Sequence, residues 1–539
     1  MIRIKDKKKA IIWTISGSDC SGGAGIAADI KTGHSLGVEV CTLITANTVQ
    51  NSNELIAINA VPVKLLQQQV NALIEDKPPA VIKIGLLANL AQVTWLAKTL
   101  KLLKMNNPQL IIVYDPVGQA SVGGSFNQLS LTDLSSLLQQ VDVITPNLME
   151  ASFLANFNLQ ESTQLAHVDV LAQKIYKHFA INSIIIKGGH NLDNDRCVDY
   201  CYHQLNQIKQ DNQEKNHQGI NYQLSSPRIT THYSHGGGCS FASALASFLA
   251  QEYLVRDAFT LAKAFINQGL FATQQISAEH KHTYYGAFEQ CSVLTNSQQL
   301  EHSISTEINN IFPTIVDDLN RQYQQLAAFN PLNLQGKKLG LYPVIDSIAW
   351  LKRLLPLGLN IIQLRVKNLP IDQLEQVIVE AINLAKKYNT RLFINDYWQL
   401  AIKHGAYGVH IGQEDLCDAN LTEIQQAGLR LGISTHGCYE FLLAQQLQPS
   451  YLAIGAIFPT KTKDMTGQIQ GIENLQQLLT LRPPNKKAQI PVVAIGGINQ
   501  ERAPEVLATG VESIAVVTAI TEASNPEQAV IELENLFNT

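Results

Sequence analysis

Eight short apolar runs in the C-terminal part of the chain limit its fold more than any other feature. Each run is rich in strand-forming residues and is followed by a segment long enough for a helix, although the fourth connection is short. Eight regular βα units within about 200 residues predict a small closed (β/α)8 barrel, and their regularity favours closure over an open doubly wound sheet. The runs cover residues 339–345, 360–366, 391–395, 407–411, 430–434, 451–457, 491–496 and 513–518.

The segment before the barrel also alternates strand-like and helical patterns. This alternation predicts a second α/β domain, with a largely parallel sheet, over residues 10–290. A polar stretch rich in Asn and Gln follows, without a strand-like run, and we assign residues 291–335 to a linker. The barrel domain then covers residues 336–539.

Charge and cysteine content exclude several classes of protein. With a net charge of -5 and a pI near 6.3, the chain has no basic field for nucleic acid or an anionic membrane. The apolar run after the basic N-terminus is too short for a signal peptide, and no window reaches the ~18 apolar residues of a membrane span. The eight cysteines lack close paired spacings, which is typical of reduced thiols. We expect a cytoplasmic protein that binds small molecules; a homo-oligomer stays open.

Polar residues at the barrel strand ends predict the position of a site, because barrels carry their sites at the carboxyl ends of the strands. Gln363, Arg365 and Lys367 alternate at the end of the second strand, so we expect them to project together and clamp an anion. Asp396 and Asp415 follow the third and fourth strands and suit Mg²⁺, which binds carboxylates together with phosphate oxygens. Either aspartate alone would more often be the N-cap of a helix than a metal ligand.

A second anion pocket is predicted at the same end of the barrel. Hydroxyl groups and a lysine follow the sixth strand, and glycines after the seventh let backbone N–H groups approach a phosphate. Two anion pockets indicate a reaction that joins a pyrophosphate compound to a phosphorylated partner, with pyrophosphate leaving. The candidate residues beyond those above are Asn395, His410, Gly412, Ser434, Thr460, Thr462, Lys463, Gly497, Thr518 and Ala519.

These strand-end residues fall into five motifs. They are Gln363-x-Arg365-x-Lys367, Ile394-Asn395-Asp396, Gly408-Val409-His410-Ile411-Gly412-Gln413-x-Asp415, Phe458-Pro459-Thr460-x-Thr462-Lys463 and Ala494-Ile495-Gly496-Gly497-Ile498. From about Leu339 onward, the chain resembles the thiamine-phosphate synthase family, which joins hydroxymethylpyrimidine pyrophosphate to thiazole phosphate. The resemblance implies that pyrophosphate leaves first and that the thiazole nitrogen then captures a pyrimidine-methyl cation.

The same resemblance implies a role for each strand-end residue. Pyrophosphate would be held by Arg365, Lys367, Asn395 and Lys463, and Mg²⁺ by Asp396 and Asp415. The pyrimidine pocket would be lined by Gln363, His410 and Gly412, with Ser434 near the reacting groups. The thiazole phosphate would be bordered by Thr460, Thr462, Gly497, Thr518 and Ala519. Many relatives carry an acidic residue where this chain has Gly437.

Two other functions are compatible with a barrel of this kind. A thiazole tautomerase is the nearest related barrel, but it does not use the pyrophosphate substrate, and the full clamp with both aspartates argues against it. A barrel that only binds thiazole phosphate would not make thiamine phosphate from the two substrates.

Two glycine-rich turns stand out in the first half of the chain. The first strand runs into a loop from Gly17 to Gly25, and a second loop, Gly236, Gly237 and Gly238, precedes an apolar helix that starts near Cys239. N–H groups at such a helix start, with the helix dipole, stabilise charge on a transferred phosphoryl group. The dipole is also expected to favour the Cys239 thiolate, which could act as a base, although simple packing is the commoner role of such a cysteine.

Together with the Asp115-Pro116-Val117 run, these loops resemble those of the ribokinase-like hydroxymethylpyrimidine/phosphomethylpyrimidine kinases, over about residues 10–290. The resemblance implies pyrimidine binding by Gly17, Asp29 and Gln50. It also implies Mg²⁺ organisation by Asn147 and Glu150, contact of Lys187 with ATP phosphates, an anion hole at Gly236–Gly238 and Cys239 as base. Relatives usually show Gly-Thr-Gly-Cys, so Gly237 replaces a threonine, and the loop after Asp115 departs at Gly118 and at Val122-Gly123.

The two resemblances fit one reaction sequence. The first domain would use ATP to phosphorylate hydroxymethylpyrimidine and then its monophosphate, and the barrel would consume the resulting pyrophosphate with thiazole phosphate. The alternative, prompted by Gly237 and the altered loop, is an active barrel that carries a non-catalytic pyrimidine-binding or scaffolding domain.

Overall fold

The structure is a computed structural model that divides into two compact units between Asp317 and Asp318. It describes residues 9–51, 54–117, 129–157, 167–189, 195–204, 219–279, 286–290, 311–334, 339–367, 369–460, 469–483, 485 and 489–537. Among the described helices, none is long and apolar enough to cross a lipid bilayer.

A ten-stranded sheet organises the first unit. Its strands are β1 (Ile11–Ser18), β2 (Glu39–Gln50), β3 (Leu55–Ala60), β4 (Val81–Ile84), β5 (Ile111–Tyr114), β6 (Val143–Ile144), β7 (Ser183–Ile186), β8 (Arg196–His203), β9 (Ile220–Pro227) and β10 (Thr314–Val316). They lie in the order β10-β9-β8-β7-β6-β5-β4-β1-β2-β3. The block from β7 to β2 is parallel, and antiparallel strands extend it on both sides.

Helices cover the parallel part of this sheet, as expected when strands are buried on both faces. Every residue of β4 and β7 is buried, and β1 is buried up to its last residue. The helices are α1 (Gly25–Ser35), α2 (Val63–Asp76), α3 (Leu90–Asn106), α4 (Leu131–Leu138), α5 (Leu148–Leu154), α6 (Val168–Phe179), α7 (Gly237–Ala250) and α8 (Val255–Glu279).

The strand β10 corrects the sequence analysis, which found no strand in the segment 291–335. Thr314–Val316 pair antiparallel with β9, and the single buried side chain of Ile315 is too little pattern to reveal a strand of three residues. Residues after Asp317 belong to the barrel unit, where the Tyr323 hydroxyl donates to the carbonyl oxygen of Ala419 over 3.0 Å. Residues 291–310 lie outside the described part of the chain.

The second unit is a closed barrel of eight parallel strands, which confirms the predicted fold. Its strands are β11 (Gly340–Ile345), β12 (Ile361–Leu364), β13 (Arg391–Asn395), β14 (Gly408–Ile411), β15 (Arg430–Thr435), β16 (Tyr451–Ile454), β17 (Val492–Ile495) and β18 (Ser513–Val516). They follow chain order around the barrel, and β18 closes it on β11.

Helices surround the barrel, and the longest shows why the sequence forms them: the buried residues of 371–387 recur at helical spacing. They are α9 (Asp318–Gln322), α10 (Ile348–Leu354), α11 (Ile371–Lys387), α12 (Trp398–Lys403), α13 (Gln413–Leu416), α14 (Leu421–Gln426), α15 (Cys438–Gln446), α16 (Gly471–Thr480), α17 (Ala503–Leu507), α18 (Thr518–Thr521) and α19 (Pro526–Asn535), with a 3-10 turn at Leu355–Leu357.

Three aromatic side chains fill the barrel interior. Tyr342, Phe393 and Tyr451 are almost fully buried and pack edge to face, with the rings of Phe393 and Tyr451 centred 5.0 Å apart. These three rings pack the barrel core below the carboxyl ends of the strands.

Candidate active sites

A chain of hydrogen bonds runs from the barrel interior to its mouth. Gln363 Nε2 donates to Tyr342 Oη over 3.3 Å, and Tyr342 Oη lies 2.8 Å from Tyr451 Oη. Tyr451 Oη is 2.7 Å from His410 Nδ1, and His410 Nε2 is 2.8 Å from Ser434 Oγ. The structure therefore connects three predicted site residues through two tyrosines that the sequence analysis did not identify. The sequence did not mark these tyrosines as site residues, because a tyrosine in a strand usually contributes to core packing.

Gln363 Nε2 donates to Tyr342, whereas the directions of the other contacts in this chain depend on the tautomer of His410. Burial and the nearby Arg365 charge lower the pKa of His410 to about 3, so the imidazole is neutral and only one of its nitrogens carries a hydrogen. His410 therefore donates to one of its two partners, Tyr451 and Ser434, and accepts from the other.

Two carboxylates lie close together beside this chain. Burial, together with the neighbouring charge of Asp415, raises the pKa of Asp396 to about 6, although Arg365 opposes this and Gly412 N–H hydrogen-bonds the carboxylate. Asn395 donates from Nδ2 to Asp396. Asp415 lies within the helix α13, whose N-cap is Gly412, so Asp415 is not itself a cap.

The predicted Gln-x-Arg-x-Lys clamp is only partly a strand feature. β12 ends at Leu364, so Gln363 alone of the three belongs to the strand. Gln363 is buried, Arg365 is half-buried and near Asp396 and His410, and Lys367 is exposed. The backbone stays beside the sheet at Arg365, because its N–H donates to the carbonyl oxygen of Ile345 in β11 over 2.7 Å.

The predicted thiazole phosphate pocket lies where two loops pack tightly. Gly497 has φ +63, and a Cβ built there would lie 2.6 Å from the carbonyl oxygen of Pro459 and 2.8 Å from Phe458 Cβ. Arg502 joins the same loops, because its Nη1 donates to the carbonyl oxygen of Gly497 over 2.8 Å while its guanidinium lies 4.7 Å from the Phe458 ring centre. Arg502 was missed because nothing in its sequence context marks it.

The structure describes some of the other residues predicted for this pocket, and the rest lie outside the described part of the chain. Thr518 and Ala519 start the short helix α18 after the last strand, and Thr460 follows Pro459. Thr462 and Lys463 lie outside the described residues.

The loop after β15, at Gly437, is ordered by a different acid from the one that many relatives carry. Glu440, buried in α15, accepts hydrogen bonds from the backbone N–H of His436 over 2.7 Å and approaches its Nδ1 to 2.9 Å. Gly437 has φ +114, which side chains rarely adopt. A glycine here therefore suits the turn that presents His436.

In the first unit, the two glycine-rich loops are packed against each other. A Cβ on Gly236 would lie 1.8 Å from the carbonyl oxygen of Gly23, and one on Gly23 would lie 2.2 Å from His235 Cδ2. Gly236 has φ +82 and caps α7. Between the loops, His235 Nε2 lies 2.9 Å from Asp19 Oδ2, and both side chains are buried. Neither was singled out from the sequence.

Lys187 lies beside the predicted anion hole. Its Nζ is 2.7 Å from Asp115 Oδ1 and 3.6 Å from the position of a Cβ on Gly238. Asn147 and Glu150 form a capping box at the start of α5, each side chain accepting the other's backbone N–H. The nearby charge of Glu150 helps to raise the pKa of Lys187, where burial alone would lower it.

The environment of Asp29 differs from the one expected for a residue that binds the pyrimidine. Its carboxylate is wholly buried, with Lys83 Nζ at 2.9 and 3.0 Å from its two oxygens and Ser243 Oγ at 2.6 Å. Thr14 Oγ1 donates to it as well. A carboxylate with these donors and no exposed surface does not reach a ligand, so the predicted contact does not fit the structure. The sequence pattern of residues 25–35 does not reveal the burial of Asp29, because a polar residue near the start of a helix is usually exposed.

The prediction that the Cys239 thiolate is favoured at its helix start is wrong for this structure. Burial raises the pKa of the Cys239 thiol to about 11; Lys83 opposes this, whereas Asp29 and Asp115 add to it. Desolvation is the largest of these effects, because it penalises the charged form of the thiol. Gly17 lies at the end of β1, and Gln50, half-buried, ends β2. The altered loop residues Gly118, Val122 and Gly123 lie outside the described chain.

Comparison with known proteins identifies both units. Residues 341–520 match the family model described as thiamine monophosphate synthase. The thiamine-phosphate synthase of Yersinia pseudotuberculosis is 57% identical over 201 residues, which cover 37% of this chain and 91% of that protein. The chain belongs to the thiamine-phosphate synthase family. Residues 19–284 match the family model for phosphomethylpyrimidine kinase.

Two solved structures are similar to the first unit. The pyridoxal kinase of Staphylococcus aureus with ADP is 26% identical and has a TM-score of 0.41, covering 49% of this chain and 89% of that one. The phosphomethylpyrimidine kinase of Clostridium difficile 630 is 27% identical with a TM-score of 0.38, covering 48% and 99%. The two family matches together indicate a phosphomethylpyrimidine kinase domain before the thiamine-phosphate synthase barrel, and they do not favour a non-catalytic scaffold.

Proposed function

We propose that the kinase domain uses ATP to convert hydroxymethylpyrimidine to its monophosphate and then its pyrophosphate, and that the barrel joins this product to thiazole phosphate. The observation that carries the proposal is the joint position of the Asp396–Asp415 pair and the His410–Ser434 pair at one barrel end. An acidic pair suits a metal-held pyrophosphate, and a neutral polar pair suits an uncharged pyrimidine ring.

The acidic pair fits Mg²⁺ as a partial ligand set. Among the described residues, no group of three or more His, Cys, Asp and Glu side chains could hold a metal by itself. Mg²⁺ usually keeps waters and substrate oxygens beside one or two carboxylates, which matches Asp396 and Asp415. When bound, Mg²⁺ would neutralise charge that builds up on the leaving pyrophosphate.

The protein's own groups account for the other demands of the coupling step. The bond between the pyrimidine methylene carbon and pyrophosphate oxygen breaks, and a carbon–nitrogen bond to the thiazole forms. Arg365, Lys367, Asn395 and Lys463 hold the departing pyrophosphate, and Ser434, oriented by His410, hydrogen-bonds the pyrimidine. A neutral His410 suits this step, because a positively charged imidazole beside the pyrimidine would disfavour formation of the pyrimidine-methyl cation.

The thiazole phosphate occupies the opposite pocket. Gly497 and the start of α18, at Thr518 and Ala519, supply backbone N–H groups to phosphate oxygens. Thr460 and Thr462 supply hydroxyl groups from the loop after β16. This arrangement holds the thiazole nitrogen toward the methylene carbon before the cation forms, which limits its capture by water.

In the kinase domain, Gly236–Gly238 stabilise charge on the transferred phosphoryl group, and Lys187 neutralises ATP phosphates from beside Asp115. Asn147 and Glu150 organise Mg²⁺, Gly17 and Gln50 bind the pyrimidine, and Cys239 accepts the proton of the substrate hydroxyl. Asp29 does not contact the substrate in this proposal, but it hydrogen-bonds Lys83 and so holds the charge of Lys83 near Cys239.

The full-length chain tests the proposal directly. It is incubated with hydroxymethylpyrimidine, thiazole phosphate, ATP and Mg²⁺, and thiamine phosphate, pyrophosphate and ADP are measured. We expect all three, with thiamine phosphate abolished when either organic substrate is left out. Thiamine phosphate made only from added pyrimidine pyrophosphate would contradict the kinase assignment. Pyridoxal in place of the pyrimidine checks the specificity of the first domain.

A further inference from the structure

A hydrogen bond between Asp19 and His235 connects the two glycine-rich loops of the kinase domain. The residues are 216 positions apart in the chain, their atoms Oδ2 and Nε2 lie 2.9 Å apart, and their side chains are 3% and 7% exposed. A polar contact with so little solvent around it is stronger and more directional than a surface pair. It is thus suited to fix the distance between the loops.

On one side of this pair, Asp19 organises the first loop. Its carboxylate accepts hydrogen bonds from the backbone N–H groups of Ser21, Gly23 and Ala24, over 2.8, 3.2 and 2.9 Å. It is also hydrogen-bonded by the side chain of Gln50, the proposed pyrimidine ligand, and these donors hold the pKa of Asp19 well below its usual range although burial opposes this. The loop and the pyrimidine ligand therefore share one anchor.

On the other side, His235 directly precedes the anion-hole glycines. Its backbone is held by Gly286, whose carbonyl oxygen accepts its N–H over 3.3 Å, and by Phe288, whose N–H donates to its carbonyl oxygen over 2.9 Å. The turn at Gly236 then leads into α7 with φ +82. A shift of the His235 ring would therefore move the start of α7, and with it the N–H groups that meet the phosphoryl group.

We propose that Asp19 and His235 act as a positioning pair that aligns the anion hole with the bound pyrimidine, so that phosphoryl transfer is fast only when both loops are in register. The inference rests on the proposed kinase function. Neither residue needs to touch the substrate. Gln50 meets the pyrimidine and hydrogen-bonds Asp19, Asp19 hydrogen-bonds His235, and the backbone leads from His235 directly into Gly236–Gly238, which meet the phosphoryl group.

The test compares His235→Leu and His235→Gln in the full-length chain. Leucine removes the hydrogen bond, whereas glutamine places an N–H donor at a similar reach toward Asp19. We expect leucine to lower kcat for hydroxymethylpyrimidine phosphorylation by roughly 10- to 100-fold, the loss that accompanies a buried charge-assisted hydrogen bond. KM for ATP and for the pyrimidine should change less than about threefold, and glutamine should restore most of kcat.

Ser21→Ala is the matched control. Ser21 Oγ also hydrogen-bonds Asp19, over 2.7 Å, but it does not join the second loop, so its loss should lower kcat less than about threefold. The double variant Asp19→Asn/His235→Leu should be no slower than the slower single variant if the two side chains act as one unit.

Three results would overturn the proposal. The first is an unchanged kcat in His235→Leu while the wild type is active. The second is an equal loss in His235→Gln and His235→Leu. The third is a loss of ATP affinity and melting temperature that accounts for the whole effect, since that marks a purely structural residue. A wild-type chain that does not phosphorylate the pyrimidine would instead overturn the proposed function, and this inference with it.

Discussion

The hydroxyl groups of Tyr342 and Tyr451 meet inside the barrel, 2.8 Å apart, and the second of them holds the imidazole of His410. Tyr451 thus reaches the mouth of the site through one histidine, although it is itself wholly buried. Replacing its hydroxyl group tests whether this support matters for the synthase reaction.

Tyr451→Phe should lower the synthase kcat by roughly 10- to 100-fold, because it leaves the buried His410 Nδ1 without its hydrogen-bond partner, a cost of about 1–3 kcal/mol. The ring still packs on Phe393, so the barrel should keep its fold. Steady-state rates of both half-reactions provide the measurement. Kinase activity should not change, and Tyr342→Phe, one step farther from His410, should have the smaller effect. Equal losses from both variants would contradict the proposed order of the chain.

Gly497→Ala should raise KM for thiazole phosphate well above that of the wild type. A Cβ at this position lies 2.6 Å from the carbonyl oxygen of Pro459, so the two phosphate loops must separate. Gly471→Ala is the control: Gly471 has φ +69, close to the +63 of Gly497, but has nothing within 4 Å of its Cβ position. Both variants carry the strain of a left-handed alanine, on the order of 1 kcal/mol, and only the first should weaken substrate binding. Titration with thiazole phosphate distinguishes them.

Gly237→Thr should be accepted by the fold and should raise the kinase kcat. A Cβ on Gly237 meets nothing within 4 Å, so the threonine that relatives carry has room. One added hydrogen bond to the phosphoryl group would be worth about 1–3 kcal/mol, or roughly 5- to 150-fold in rate. Gly236→Ala, where the Cβ would lie 1.8 Å from the carbonyl oxygen of Gly23, should abolish activity. A kcat for Gly237→Thr at or below that of the wild type would argue against the missing hydroxyl group.

The kinase rate should rise with pH across the neutral range if Cys239 is the base. Its pKa is raised to about 11, so the thiolate is a small fraction at pH 7 and grows about tenfold for each unit of pH. Log kcat against pH between 7 and 9 should therefore have a slope near one, and Cys239→Ser should remove it. A flat profile in the wild type would point to a base other than this thiol.

Asp396→Asn should stabilise the metal-free barrel while it abolishes coupling. The pKa of Asp396 is raised to about 6 in the fold, so the protonated form is favoured there, and the carboxyl contributes stability below about pH 4 that is lost as pH rises through 6. At pH 7 the neutral amide removes this penalty, on the order of 1 kcal/mol after allowance for solvent screening. Asparagine also tolerates the φ of +66 found at this position. Melting temperatures without Mg²⁺ at pH 5 and pH 7 test the sign: the variant should gain more at pH 7 than at pH 5.

The barrel was predictable because its signal is repeated. Eight apolar runs with helical segments between them leave few topologies open, and β11–β18 follow the predicted positions closely. β10 was not predictable in the same way, because three residues with one buried side chain carry no period. β10 forms by antiparallel pairing with the edge strand β9, and that edge exists only after the sheet has folded.

The candidate residues were predictable in type but not in environment. The sequence by itself determined the chemistry at the barrel mouth, since carboxylates, hydroxyl groups and glycines at strand ends converge wherever a barrel closes. Only the tertiary structure decided that Asp29 is a buried partner of Lys83, and that burial raises the pKa of the Cys239 thiol. The structure alone also joined Asp19 to His235 and Tyr451 to His410. The physical reason is that desolvation and long-range hydrogen bonds depend on which side chains meet in space, and local sequence does not specify those meetings.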